Sequence, residues 1–423
     1  MNASLAHRVF LVSSLLAVFV VGAVVMASAR MRNLGGWETV DAFEEEYFGG
    51  LSRTPPVPAW PARDVSNLCT EIFIKIYKCG SSTNAGVARA IGAHRNLTGT
   101  RDLDSSSEYG PTCKVPTAVR RKRLEIRGPA VPVEEEGCKV HANHGMARSL
   151  AACRFENTTH DNASYVKQQV RQNSMLWTFI RDPGTRAVSH CLQKYFAMNH
   201  PPNLTDAYII DFASHVPGSY IFNYMDGISL NPYKCEAFES AVGEPPTEAI
   251  GAGKVVRGRR KWDDDRLACE VERLLDSYDF VGLVEREDES LIAMKFLFSL
   301  KFRDILHMSA KIRSDNPKSA GRLHEPGPDL QRYMAEDFYE KSRVDRALHA
   351  GANARLDSTI ARYGDAFHDE LERFETMMVE AIQFCGFPIT TQEFNRNRDC
   401  YWKDNGCGFK CLDEFAARFE SYD

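Results

Sequence analysis

Glu71-Ile-Phe-Ile-Lys75-Ile-Tyr-Lys78-Cys-Gly80-Ser81-Ser82-Thr83-Asn84 decides how the chain is read. Ile72 to Tyr77 is apolar, β-branched and aromatic, the composition of a buried strand. Lys78 to Thr83 is small and polar around one glycine, and Ala85 to Ile91 has the composition of a short helix. Strand, tight loop and helix in that order make an anion site. Amides at a helix start have no partner inside the helix, and the helix dipole favours negative charge there. Lys75 and Lys78 lie at the loop entrance, and Gly80, Ser81, Ser82 and Thr83 complete the cradle.

Gly-x4-Gly-Lys-Ser/Thr is absent, so this is not the nucleotide-kinase loop. The lysine precedes the small residues instead of following them.

Outward from this stretch, Ser174 to Ile180 is a second apolar strand, followed by Arg181-Asp-Pro-Gly-Thr-Arg186-Ala-Val-Ser189. Asp182 suits a helix cap and Pro183 a first helical position, so a helix is expected from there to Met198. Arg186 and Ser189 then fall one turn apart on the same face. A helix over Asp265 to Tyr278 leads to a third strand, Phe280 to Val284, and Glu285 to Lys295 continues as an amphipathic helix toward Leu300. The pattern from about Asp329 to Phe384 is helical. Strands alternating with helices predict an α/β fold with a central parallel sheet flanked by helices.

The chain has 423 residues, 43% hydrophobic and 26% charged, ample for a sizeable core. A formal net charge of −5 argues against a general nucleic-acid binder. Arg120 to Arg123 is a basic run, read as a solvated loop, with docking of an anionic substrate or proprotein-type cleavage as alternatives; residues 200–262, read as a variable substrate-facing insertion, include a second basic run, Lys254 to Lys261.

Val9 to Ala29 is an uncharged apolar run spanning about 31 Å as helix, enough for a bilayer core. An uncleaved signal anchor is favoured over a signal peptide cleaved near Ala27-Ser28-Ala29. Both put the remainder in the secretory lumen. Glycosylation acceptors at Asn96, Asn157, Asn162 and Asn203 agree with that compartment. The expected organisation is a cytosolic tail (1–8), a transmembrane anchor (9–29), a stem (30–66) with Pro55-Pro56-Val-Pro58, a lumenal catalytic domain (67–390) and a Cys-rich tail (391–423). In that compartment Cys400, Cys407 and Cys411 are expected to form disulfides with each other or with Cys385; a zinc knuckle is the weaker alternative.

Three motifs together resemble one family. Lys75-x-x-Lys78-x-x-Ser81-Ser-Thr83 resembles the 5′-phosphosulfate loop of Golgi carbohydrate sulfotransferases. Arg181-Asp-Pro-x-x-Arg186-x-x-Ser189 resembles the 3′-phosphate motif of sulfotransferases that use 3′-phosphoadenosine-5′-phosphosulfate (PAPS). Glu285-Arg-Glu-Asp288-Glu289-Ser290-Leu291, with Asn353-Ala-Arg-Leu356-Asp357, is similar to segments of galactose-3-O-sulfotransferases. The likeness covers roughly residues 70–385 and extends more distantly to heparan sulfate 2-O-sulfotransferases, which share a glycine at the position of Gly80. Cys79-Gly80 departs from the Thr-Ala usual in the galactose enzymes.

The resemblance implies a P-loop-NTPase-like core, PAPS as co-substrate without a metal, and a glycan acceptor on a glycolipid, glycoprotein or polysaccharide. It implies a single-pass type II protein of the Golgi membrane with its catalytic domain in the lumen. Lys78 would neutralise the leaving oxygen, with Lys75 in reserve. Ser81, Ser82 and Thr83 would hold the 5′-phosphate, Arg181 and Ser189 the 3′-phosphate. His144, in Cys138-Lys-Val-His141-Ala-Asn-His144-Gly-Met146, would be the catalytic base, with His141 second. Galactose is the favoured acceptor, a uronic acid or other polysaccharide the alternative. A glycan-binding protein on a sulfotransferase-like fold is the competing non-enzymatic reading.

Overall fold

Five residues of the opening stretch, Thr70–Ile74, form β1, the strand on which the other three are arranged. In the computed structural model the described residues are 57–65, 70–95, 97, 139–143, 174–197, 204–226, 264–308, 326–386 and 408–419. The other strands are β2 (Lys139–Asn143), β3 (Ser174–Ile180) and β4 (Phe280–Leu283), in the order β2-β1-β3-β4. Every pairing is parallel: Thr70 opposes Lys139 and Ser174, Ile74 opposes Asn143 and Thr178, and Ile180 opposes Leu283. The fold is α/β, a small parallel sheet with flanking helices.

A parallel sheet is covered on both faces, so its strands are continuously apolar. Ile72 to Ile74, Met175 to Leu176 and Phe280 to Val281 are all buried. The rings of Phe73 and Trp177 lie 4.4 Å apart, and Phe179 stands edge-on to Phe280. Gly282 lets β4 approach this cluster: a Cβ there would sit 2.6 Å from the Phe179 ring. Glu71 is fully buried among these rings and accepts the indole N–H of Trp177 at 3.0 Å. Burial pushes its carboxyl well above the usual range, against the bond from Trp177 and the charge of Arg95.

α1 (Ser81–His94) follows β1 and leads to β2 on one side; β3 then pairs on the other side of β1 and is followed by α2 (Pro183–Ala197). The chain therefore reverses direction across the sheet between β1 and β3. Because these neighbours are parallel and in register, the loops after Ile74 and after Ile180 leave from the same edge. In open parallel sheets this point of reversal, at the carboxyl ends of the strands, is where ligands bind.

α3 (Asp206–His215) and α4 (Tyr220–Met225) come next, then α5 (Asp264–Leu275) ahead of β4. A 3-10 turn, Val284–Arg286, opens into α6 (Glu287–Phe298) and the short α7 (Phe302–Ile305). The helical pattern read over 329–384 consists of α8 (Pro328–Ala335), α9 (Asp337–Lys341), α10 (Arg343–Tyr363) and α11 (Asp365–Cys385). α12 (Phe409–Phe419) is tied to the end of α11 by the Cys385–Cys411 disulfide. Of the pairings open from sequence, the described residues contain this one; Cys400 and Cys407 lie outside them.

Several expected boundaries move: the helix read over Asp265 to Tyr278 ends at Leu275, and the strand read to Val284 ends at Leu283. The first strand was expected to reach Tyr77 but pairs only to Ile74; the Ile76 amide turns back to the Ile74 carbonyl at 3.1 Å, which starts the loop at Lys75. The helix begins at Ser81, so Ser81 to Thr83 form its first turn. Residues 58–65, assigned to the stem, lie on the core. Trp60 is fully buried, its amide bonded to Thr359 Oγ1 at 3.1 Å and its carbonyl to Arg362, while the Arg63 amide reaches the Leu297 carbonyl. A large ring inside a proline-rich segment gives that segment something to bury. Among the described residues no helix is long and apolar enough to cross a membrane. The 9–29 run, the glycosylation acceptors and both basic runs lie outside the described residues.

Candidate anion site at the carboxyl edge of the sheet

The loop from Lys75 to Gly80 turns by two left-handed residues. Lys78 has φ of 69° and Gly80 φ of 59°, with the buried Cys79 between them. Glycine adopts that conformation freely, whereas a lysine there costs on the order of 1 kcal/mol. Strain of this kind at a non-glycine residue gathers at functional loops. Lys75 does not face solvent, as a strand lysine could have done; it is 4% exposed. The thiol of Cys79 is pushed up to about 12 by burial, with Arg186 and Arg181 acting more weakly in the other direction. It is a protonated packing group, not a nucleophile.

α1 starts directly after the loop with no side chain capping its first amides. Gly80 occupies the cap position, its carbonyl accepting the Asn84 amide at 3.1 Å. Asn84 also donates from Nδ2 to the Gly80 carbonyl at 3.2 Å and to Glu287 Oε1 at 2.8 Å, fastening the loop to α6. Ser82 and Thr83 are nearly buried in the first turn, and Ser81 is half-buried. An uncapped helix start flanked by Lys78 favours an anion.

β3 ends at Ile180 and delivers Arg181 to the same edge. Arg181 is half-buried; its Nε donates to Thr185 Oγ1 at 3.2 Å and lies 3.8 Å from Glu285 Oε1. The expected cap is present: Asp182 Oδ1 accepts the Thr185 amide at 2.7 Å, and Pro183 opens α2. Ser189 is half-buried one turn along. Arg186, placed on the same face by its spacing, goes inward. It is 1% exposed, its guanidinium stacks 4.1 Å over the ring of Tyr220 on α4, and its Nε and Nη1 have no hydrogen-bond partner.

No family model, curated protein or solved structure matches this chain. What the site can do is therefore read from its own geometry.

Glu285, in the 3-10 turn after β4, joins the edge together. Its Oε1 accepts the Asp182 amide at 3.0 Å and faces the Thr185 hydroxyl at 3.4 Å; its Oε2 lies 3.4 Å from His349 Nε2 on α10. Burial pushes this carboxyl up, but the bonds from His349 and the Asp182 amide outweigh it and hold the group below its usual value. Next to it, Arg286 is bound on three sides, by Glu289 at 2.6 Å, Asn353 at 2.8 Å and Asp357 at 2.5 Å. Ser290 Oγ accepts the Leu283 amide at 3.0 Å. Glu289, Asn353 and Asp357, residues from separate segments, thus meet on Arg286, and Ser290 separately bonds the end of β4, both beside the turn carrying Glu285.

Among the expected site residues, Lys75, Lys78, Gly80, Ser81, Ser82, Thr83 and Arg181 fall on the loops and helix start at this edge, and Ser189 lies in the second turn of α2. His144 lies outside the described residues. His141 is in β2, opposite Ile72, and its side chain also lies outside them. Sequence reading gave no role to Arg186 beyond its spacing and did not notice His349. The first carried a signal, an arginine one turn from a proline cap; the second is one histidine in an alanine-rich helix, with nothing local to mark it.

Proposed function

We propose that this chain transfers a sulfuryl group from PAPS to a hydroxyl of a glycan, with a galactose-type acceptor favoured. The proposal extends to a P-loop-NTPase-like core and to a Golgi type II membrane protein whose catalytic domain is lumenal. The observation that carries it is the shared edge of β1 and β3, where a lysine-bearing anion loop and a strand-end arginine sit at the point of chain reversal. A nucleotide with phosphates at its 5′ and 3′ positions presents two separated anions, which suits two separate cationic strand ends.

On this reading the 5′-phosphosulfate lies on the amides after Gly80 with the hydroxyls of Ser81, Ser82 and Thr83. Arg181 gives the 3′-phosphate a two-pronged contact and Ser189 adds a hydroxyl. Sulfuryl transfer, like phosphoryl transfer, needs mostly alignment and neutralisation of the leaving oxygen. Lys78 serves that purpose better than Lys75, which is enclosed at the end of β1.

The test is transfer of labelled sulfate from PAPS by the full chain to N-acetyllactosamine, heparosan and chondroitin. Turnover on at least one acceptor is expected, with Lys78→Ala lowering kcat by about 100-fold or more, as for loss of a group that stabilises developing charge. Absence of turnover on all three, with PAPS bound, would favour the glycan-binding alternative.

A further inference from the structure

We infer that His349 accepts the proton of the glycan hydroxyl and that Glu285 holds its ring for that task. This rests on the sulfuryl-transfer reading and adds to it the residue that handles the proton.

Placement is the first reason. Glu285 follows β4 directly, so it stands at the same carboxyl edge as Arg181 and the Lys75–Gly80 loop. One oxygen of its carboxylate is bonded to the turn after β3 at Asp182, and the other faces His349 on α10. A single carboxylate thus connects the turn expected to hold the donor with an imidazole.

Chemistry is the second. When Nε2 donates to a carboxylate, the neutral ring is fixed in the tautomer whose lone pair is on Nδ1, and the imidazolium formed on protonation is stabilised. The 3.4 Å separation is long for a hydrogen bond, as is usual for catalytic pairs before substrate arrives. The His349 side chain is 21% exposed and that of Glu285 36%, and Oε1 of Glu285 is fixed by a backbone amide.

From the turn after β3, Arg181 lies 3.8 Å from Glu285, and the Asp182 carboxylate is committed to the Thr185 amide. From the 3-10 turn, Arg286 is committed to Glu289 and Asp357. On α10 itself, Asp345 binds the amides of Ile221 and Phe222 on α4, and Arg346 stacks on Tyr339. Among the contacts of the described residues, the carboxylate of Glu285 faces the ring.

In the step itself the acceptor oxygen attacks sulfur and forms the new S–O bond. The bond from sulfur to the oxygen it shares with the 5′-phosphate breaks, its electron pair staying on that oxygen. Adenosine 3′,5′-bisphosphate leaves, the hydroxyl proton passes to His349, and the imidazolium later returns it to water.

The experiment compares the full-length wild type with His349→Gln, His349→Asn, Glu285→Gln and His144→Ala. It reads kcat for sulfate transfer from pH 5 to 9 on the acceptor turned over best, and the Kd for adenosine 3′,5′-bisphosphate by calorimetry. Expected for both His349 variants is a fall in kcat of about 100-fold or more and loss of the acid limb of the pH profile, with Kd within about twofold of wild type. Glu285→Gln is expected to move that limb to lower pH, because the imidazolium loses its stabilising charge. An unchanged Kd in the two His349 variants shows that they are folded. Wild-type turnover with an intact acid limb in both His349 variants, or loss of the limb in His144→Ala alone, overturns the inference and leaves sulfuryl transfer standing. A wild type that neither binds the bisphosphate nor transfers sulfate overturns the reading beneath it.

Discussion

The amide of Asp182 donates to the carboxylate of Glu285 at 3.0 Å, so the turns after β3 and β4 are held as one piece. Glu285→Ala removes this link, the contact with Arg181 and the contact with Thr185 together. Binding of adenosine 3′,5′-bisphosphate is expected to weaken about 5- to 10-fold, equivalent to one or two ordinary hydrogen bonds. Calorimetry on wild type and variant measures it, and unchanged affinity would separate the two turns functionally.

Gly80 is expected to tolerate no side chain. Its φ of 59° is costly for alanine, and a Cβ would come within 3.0 Å of Asn84 Nδ2 and 3.3 Å of Val284. Gly80→Ala should lose about 1–2 kcal/mol of stability and disturb the Asn84–Glu287 fastening. Chemical denaturation gives the first quantity; loss of anion binding in excess of the stability change gives the second.

Arg186 makes a prediction of opposite sign. A buried guanidinium whose Nε and Nη1 lack hydrogen-bond partners is a charge removed from water, with stacking on Tyr220 and attraction to the Asp345 carboxylate as its return. Arg186→Met keeps most of the volume and should leave the ligand-free protein at least as stable as wild type, although about 2 kcal/mol of cation–π attraction is lost. Arg186→Ala leaves a hole and should cost about 2–4 kcal/mol. Thermal unfolding without ligand distinguishes the pair.

Asp345 introduces a pH dependence. Burial pushes its carboxyl up to about 7, against the pull of the Phe222 and Ile221 amides and Arg186. In the unfolded chain the group ionises near the ordinary value of 3.8. Between those two values the folded protein holds a proton that the unfolded chain has lost, so its contribution to stability falls as pH rises from about 4 to about 7 and is level above. Asp345→Asn should flatten that slope, by one to a few kcal/mol across the window. Denaturation midpoints at pH 4.5 and 7.5 for both proteins test this.

The parallel sheet was legible because β1, β3 and β4 are apolar runs of strand length followed by helix signals, and the Asp182 cap before Pro183 was legible residue by residue. The limit of β1 was not. Ile76 and Tyr77 have strand composition, but β1 has partners for only five residues, and pairing rather than propensity ends it. Trp60 was hidden for a similar reason: prolines mark an extended segment but do not say whether a neighbour has room for an indole. The site divides the same way. Lys78, Gly80 and Arg181 are local, each within a few residues of a strand end, so spacing finds them. The Glu285–His349 pair spans 64 positions, and Arg186 on Tyr220 depends on where α4 packs; contacts of that range leave no pattern in one sequence.

The most direct measurement is a calorimetric titration of the full chain and of Arg181→Ala with adenosine 3′,5′-bisphosphate. One site of micromolar affinity is expected in the wild type, weakened about 10- to 100-fold by the substitution, in line with about 1.5–3 kcal/mol for hydrogen bonds to a charged group. A wild type that does not bind, or a variant that binds equally well, would contradict the assignment of one nucleotide to the adjacent ends of β1 and β3.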